Sequence, residues 1–149
     1  MRQPDWHLPD PEMQPEFYDD VPLKRLIAFV IDTVLIVLIC VAILPFTAFT
    51  GLFFFPFLMM MVGFAYRVIS LTNRSATPGM WLTAIEFRTG DGQRFDLGTA
   101  FLHTLGLNIS FAIPVLQVIS VVLMATSGNG QGLSDRMLGT VALNRAARR

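Results

Sequence analysis

Three long apolar runs, separated by short polar stretches, dominate the chain. The first, Leu26 to Leu44, is broken only by Asp32 and Thr33. With the residues just before it, this run predicts a helix over 23–44, long enough for a bilayer core that takes about 20 residues to cross. The second runs from Ala48 to Tyr66 and continues through Arg67 to Leu71. Its Phe53, Phe54, Phe55, Phe57 and Met59 to Met61 read as lipid-facing and packing side chains. Pro56 predicts a kink there, and Gly63 permits close helix approach. The third run, Leu97 to Met124, contains His103, Asn108 and Pro114. A straight helix of that length would measure about 42 Å, more than a crossing needs. Two arrangements fit: one tilted, kinked span, or two half-helices that meet near Pro114, dip in and return.

Between the second and third runs the pattern changes period. Met80 to Phe87 (MWLTAIEF) sets Trp81, Thr83, Ile85 and Phe87 on one face, as in a strand. Thr89-Gly90-Asp91-Gly92 is a turn signal, and Gln93-Arg94-Phe95 is a candidate return strand. Gly139 to Asn144 (GTVALN) reads as another short strand. Two strands alone are marginal in water, so a three-piece antiparallel sheet is expected at the membrane surface. The expected fold class is an all-α membrane protein: two transmembrane helices, a third apolar segment broken near Pro114, and a small cytoplasmic antiparallel β element.

Composition supports the bilayer as solvent. Of 149 residues, 53% are hydrophobic and the mean hydropathy is +0.55, too apolar for a soluble domain of this size. Charge divides the chain further. Residues 1–22 hold six acidic side chains, one arginine and five prolines. Such a segment buries too little apolar surface to order itself, which predicts a mostly extended tail ahead of a membrane domain over 23–149. This acidic lead and the length of the first run argue against a signal peptide. The other ten basic residues avoid the connection Pro45 to Gly51. The positive-inside rule therefore puts that connection outside and the N-terminus and residues 72–98 in the cytoplasm. A re-entrant third segment also keeps Arg136, Arg145, Arg148 and Arg149 inside, so the charge bias favours the hairpin.

The polar residues within the apolar runs are the candidates for function. A carboxylate in a membrane span costs roughly 2.5–3.5 kcal/mol on insertion scales, so Asp32 should face protein and have a partner. Arg25 lies seven residues earlier, on the same helix face. Arg67, His103 and Asn108 enter the other segments at comparable depths, and Asp135 can approach Arg25 from the C-terminal side. A polar cluster of Arg25, Asp32, Arg67, His103, Asn108 and Asp135 is expected under the cytoplasmic surface. It has two possible roles. One is to fix how the helices meet. The other is an ion or proton relay. The lone Cys40 reads as a small buried hydrophobe. The sequence carries no metal motif, nucleotide loop or Ser-His-Asp order, so neither an enzyme, a cofactor nor a nucleic-acid partner is expected. The expected partners are the lipid bilayer and either further copies of the chain or a larger membrane complex.

Three blocks carry a resemblance. Lys24-Arg25-Leu26-Ile27-Ala28-Phe29-Val30-Ile31-Asp32 opens the first helix. Ser75-Ala76-Thr77-Pro78-Gly79-Met80 forms a turn, and Leu133-Ser134-Asp135-Arg136-Met137-Leu138-Gly139-Thr140-Val141 closes the chain. In this order they resemble the RDD family of bacterial and archaeal membrane proteins, named for one arginine and two aspartates. The resemblance covers about residues 22–144. It implies Arg25, Asp32 and Asp135 as the name-giving residues and Thr77 and Gly79 as the turn motif. It also implies a bacterial cytoplasmic (inner) membrane as the location and a transport role such as cation/proton exchange. Ser75 stands where glycine is usual, Met80 where lysine is usual, Ser134 where histidine is common and His103 where an arginine is often found.

The charge argument has a direct test. In a Cys40→Ala background, a cysteine introduced at Arg148 should resist a membrane-impermeant thiol reagent added outside intact cells and react once they are opened. Labelling from outside would rule out the re-entrant arrangement.

Overall fold

The structure, a computed structural model, describes residues 8–9 and 11–145. It is mainly helical. α1 (Val21–Ile43) and α2 (Phe55–Arg74) are both long and apolar enough to cross a membrane. α1 buries Val21, Ala28, Asp32, Ile36 and Cys40, one stripe at helical spacing. Its other face exposes Leu23, Ile27, Val30, Val34 and Leu38, as lipid contact requires. The connection holds two 3-10 turns, Leu44–Thr47 and Thr50–Leu52. The second helix therefore starts later than the apolar run does. Pro56 lies in its first turn, where a missing N–H leaves no bond unmade, so it starts the helix and does not kink it.

A short helix, α3 (Pro78–Leu82), follows α2 and precedes β1 (Ile85–Arg88). The strand expected from Met80 is thus helical over its first residues. Thr77 caps this helix by accepting from Met80 N, and Pro78 occupies its first position. β1 pairs antiparallel with β2 (Val141–Asn144), placing Ile85 opposite Asn144 and Arg88 opposite Val141. Among the described residues the sheet has two strands and not three. Gln93 bonds with Thr89 to close the turn, and Phe95 N donates to the Ser75 hydroxyl, so 93–95 has no ladder to join.

Ser75 explains much of this local geometry. It ends α2 in the left-handed conformation, φ 55°, where glycine is the usual residue. Its hydroxyl donates to Phe87 O and accepts from Phe95 N, while its own carbonyl accepts from Phe87 N. Three hydrogen bonds from one residue fasten β1 and the start of the next helix to the end of α2.

The third apolar run forms α4 (Leu97–Ala112) and α5 (Pro114–Thr126), bent by 118° at Ile113. Ile113 is extended and Pro114 cannot continue the α4 hydrogen-bond ladder. The chain then returns towards its starting end. Phe95, just before α4, touches Ser75 at the end of α2. Gly130, just after α5, lies beside Val21 and Pro22 at the start of α1. A last short helix, α6 (Leu133–Leu138), leads into β2.

Both faces of the sheet are buried. Ile85, Phe87 and Ala142 join Val21, Ala28, Leu71 and Met80 in the main core. The opposite face carries Val141 and Leu143, which pack with Tyr18, Leu8 and Phe17. The part of the N-terminal segment described here is therefore not extended: residues 11–20 turn and include the 3-10 turn Pro15–Phe17. Tyr18 Oη donates to Pro9 O at 2.7 Å. The reason is apolar burial: Phe17 and Tyr18 supply a cover that proline and acidic residues alone would not. Trp6 and Arg148 lie outside the described residues.

Asn144 joins this cover to the membrane part. Its amide donates to Glu16 O and Asp19 O, and its oxygen accepts from Lys24 Nζ at 2.7 Å. Asn144→Ala should remove all three of these hydrogen bonds and destabilise the protein by about 1–3 kcal/mol. Limited proteolysis of the purified protein should then cut first within residues 11–20. An unchanged cleavage rate there would show that the segment is held by other contacts.

Candidate functional site

Asp32 lies in the middle of the buried stripe of α1 and is 1% exposed. Its carboxylate collects three donors. Tyr66 Oη on α2 donates at 2.8 Å, the Thr77 hydroxyl donates to the other oxygen, and Gly79 N donates at 2.8 Å. Thr77 therefore has two tasks: it donates to Asp32 and accepts from Met80 N. Gly79 is required by space. A Cβ there would sit 2.3 Å from Ala28 O and 2.8 Å from Asp32 Oδ1. Only a residue without a side chain lets α3 lie this close to α1.

Asp135, in α6, is fully buried. Arg25 Nη1 pairs with Oδ2 at 2.6 Å and also donates to Gly130 O at 3.1 Å. Thr140 Oγ1 donates to Oδ1 at 2.8 Å, and Gly132 N donates to Oδ2 at 3.1 Å. His103 Nε2 lies 2.8 Å from Oδ1. An ionised carboxylate only accepts, so this nitrogen carries the proton. Phe87 packs against both partners, its ring centroid 5.2 Å from the Arg25 guanidinium and 4.5 Å from the His103 ring. Burial pushes the Asp135 carboxyl up, but the Arg25 charge and the His103 hydrogen bond outweigh it and hold the group well below its ordinary range.

The six residues expected in one cluster thus divide. Arg25, His103 and Asp135 meet directly, while Asp32 has its own set of donors. Arg67 does not bond to Asp32. Its guanidinium lies over the Phe29 ring at 5.4 Å and makes no hydrogen bond or salt bridge among the described residues. Asn108 donates to Thr104 O one turn back in its own helix. Thr77 and Gly79 of the turn motif both touch Asp32. Sequence reasoning missed Tyr66 and Thr140. Tyr66 adjoins Arg67 in an apolar run, where a phenol reads as an aromatic packing residue, and Thr140 reads as an ordinary strand residue.

Beside these residues is a cavity of about 320 Å³ between α1, α2, α4 and α5. Arg25, Asp32, Arg67, His103, Thr104 and Gln117 supply its polar lining, and the rest is mostly apolar. A second hollow, about 200 Å³, adjoins it across Phe29, Arg67, Leu107 and Phe111. Among the described residues, no group of three or more His, Cys, Asp or Glu side chains is placed to hold a metal ion.

The profile of the RDD family matches residues 21–139, from the start of α1 to the turn before β2. The chain belongs to the RDD family. Together with its apolar helices, this makes it a small membrane protein. No curated protein and no solved structure matches it. The match takes in both aspartates and all of their donors except Thr140, so within the RDD domain two helices, α1 and α6, each carry one aspartate inward to a ring of protein donors.

Acid should expose the Asp135 arrangement. Its folded pKa lies below its unfolded value, so the folded state binds fewer protons between the two. Its contribution to stability is complete above the unfolded value, near 3.8, and is lost as pH falls towards the folded value. The melting temperature of the detergent-purified protein should therefore drop below about pH 4. Asp135→Asn should be less stable at neutral pH and should lose part of that acid slope. The exposed Asp96, also held low by Thr99 N–H, keeps the remainder. Equal acid slopes in both proteins would contradict the assignment.

Proposed function

We propose that this chain is a non-catalytic membrane module, an accessory or assembly subunit that packs with a larger membrane complex, in which the two aspartates hold the helices in place. The supporting observation is how many protein donors each carboxylate holds. Asp32 accepts from three protein donors and Asp135 from four partners. A relay carboxylate has to exchange its proton or ion during each cycle. Here that exchange would break several buried hydrogen bonds at once, and the ionised form of Asp135 is the one its surroundings favour. The positive residues support a cytoplasmic N-terminus and sheet, with α4 and α5 entering from the same side.

The RDD resemblance and the cavity beside Asp32 and His103 support a second reading, ion- or proton-coupled transport by a homo-oligomer. The two readings separate in one paired measurement. Wild-type protein, Asp32→Asn and Asp135→Asn are reconstituted in vesicles, and cation-coupled proton movement and thermal stability are followed together. The structural reading expects no coupled flux above empty vesicles. It also expects a loss of about 3–5 kcal/mol in Asp135→Asn, because Arg25 keeps a buried charge without its counter-charge. Purification from native membranes should bring down a second membrane protein in fixed ratio. Flux in the wild type that disappears in Asp32→Asn at unchanged stability would overturn this reading in favour of transport.

A further inference from the structure

The cavity between α1, α2, α4 and α5 holds three polar groups that the aspartate network does not use. Arg67 offers guanidinium N–H donors with no hydrogen-bond or ion-pair partner among the described residues. Asp32 is its electrostatic neighbour, but Asp32 takes its hydrogen bonds from Tyr66, Thr77 and Gly79 and makes none to Arg67. Thr104, 0% exposed, keeps its hydroxyl without a partner, and so does the buried side-chain oxygen of Gln117. Both line the same cavity as Arg67. Unsatisfied buried polar atoms are rare, and their convergence on one hollow marks where a ligand would find hydrogen-bonding partners. That ligand must accept from Arg67, bond with the Thr104 hydroxyl and donate to Gln117.

The remaining lining decides what else the ligand carries. Leu26 on α1, Phe111 on α4 and Val121 on α5 line the cavity, yet each is about half exposed at the surface. These are surfaces of membrane helices, so the cavity opens sideways towards hydrocarbon. The second hollow extends it past Phe29 and Leu107 towards Ile36 and Met59. An ion arriving from water would meet an apolar frame on this side. A lipid tail would enter it directly.

We propose that this cavity is a binding site for an anionic, hydroxyl-bearing lipid of the surrounding bilayer, with the acidic phosphate on Arg67 and Thr104, a headgroup hydroxyl donating to Gln117, and an acyl chain along Phe29, Leu107 and Phe111. Charge complementarity selects the headgroup, since a zwitterionic lipid brings a second, positive group towards Arg67. The site does not depend on whether the aspartates relay ions or fasten helices, because its anchors Arg67, Thr104 and Gln117 bond to neither carboxylate.

Native mass spectrometry of the full chain in a non-ionic detergent tests this. The probes are dioleoyl phosphatidylglycerol, dioleoyl phosphatidylcholine and inorganic phosphate. One phosphatidylglycerol should bind per chain, about tenfold more tightly than phosphatidylcholine, as expected for charge-assisted hydrogen bonds. Arg67→Gln should abolish that preference, while Arg94→Gln, at an exposed turn, should leave it unchanged. Thr104→Val keeps the side-chain shape and removes an unpaired buried hydroxyl, so it should fold and bind phosphatidylglycerol several-fold more weakly. Inorganic phosphate at millimolar concentration should not displace the lipid. Equal affinity for the two lipids, or a preference that survives Arg67→Gln, overturns the site. A loss in Arg94→Gln as large as in Arg67→Gln does the same, because it would mean attraction to the whole basic surface. Displacement by phosphate alone would assign the site to the free anion and overturn the lipid. If Arg67→Gln does not fold, unaltered lipid binding by Thr104→Val is itself sufficient to overturn it.

Discussion

A carboxylate buried among apolar helices must collect donors, and in this protein that requirement organises the chain. Asp32 cannot meet it from its own helix, whose backbone N–H groups are already bonded. It draws on a phenol from α2 and on a hydroxyl and a backbone N–H from the Thr77–Gly79 turn. The turn must therefore come up against α1, and Gly79 allows the approach. Asp135 repeats the logic with Arg25, His103, Thr140 and Gly132. Each aspartate thus joins segments far apart in sequence. One fixes where β1 begins and the other where β2 begins, so the two-stranded sheet is held in register from both ends.

The bent pair α4–α5 follows from the same arrangement. His103 is bound to Asp135, and Ser120 on α5 accepts from Leu133 N at the start of α6. Both halves are thereby tied to one short helix, which a straight span could not do. At the bend, Ile113 N still donates to Ile109 O and Leu116 N donates to Ile113 O. Proline itself has no N–H to satisfy. The break therefore leaves these neighbouring backbone groups paired, which is the condition for irregular backbone at membrane depth.

The sequence showed the elements well where one strong signal set them. The apolar runs marked α1, α2 and the pair α4–α5, and Pro114 marked the break. The proximity of Arg25 to Asp135 could be read from the depth of each residue. Other features could not be read, for definite reasons. Local alternation at Met80–Phe87 looks like a strand, but a capping threonine and a following proline made its first half helical. A proline-rich acidic segment looks extended because composition counts charges and does not see that Phe17 and Tyr18 meet an otherwise bare sheet face. Charge pairing is the obvious remedy for a buried anion, so the sequence points to an arginine as the partner of Asp32. Neutral donors proved sufficient, and Tyr66 and Thr77 carry no charge by which a sequence could announce them.

Those neutral donors also leave an imbalance within the site. If Arg67 had neutralised Asp32, the cavity would contain a closed ion pair and little to attract a ligand. Asp32 is instead satisfied by groups that bring no positive charge, so Arg67 keeps its N–H donors open to the cavity. The Phe29 ring packs against its guanidinium from one side. A guanidinium in low dielectric gains most from an acceptor that excludes water. The same choice of partners that satisfies the aspartate with neutral donors therefore leaves the arginine with N–H groups open to the cavity.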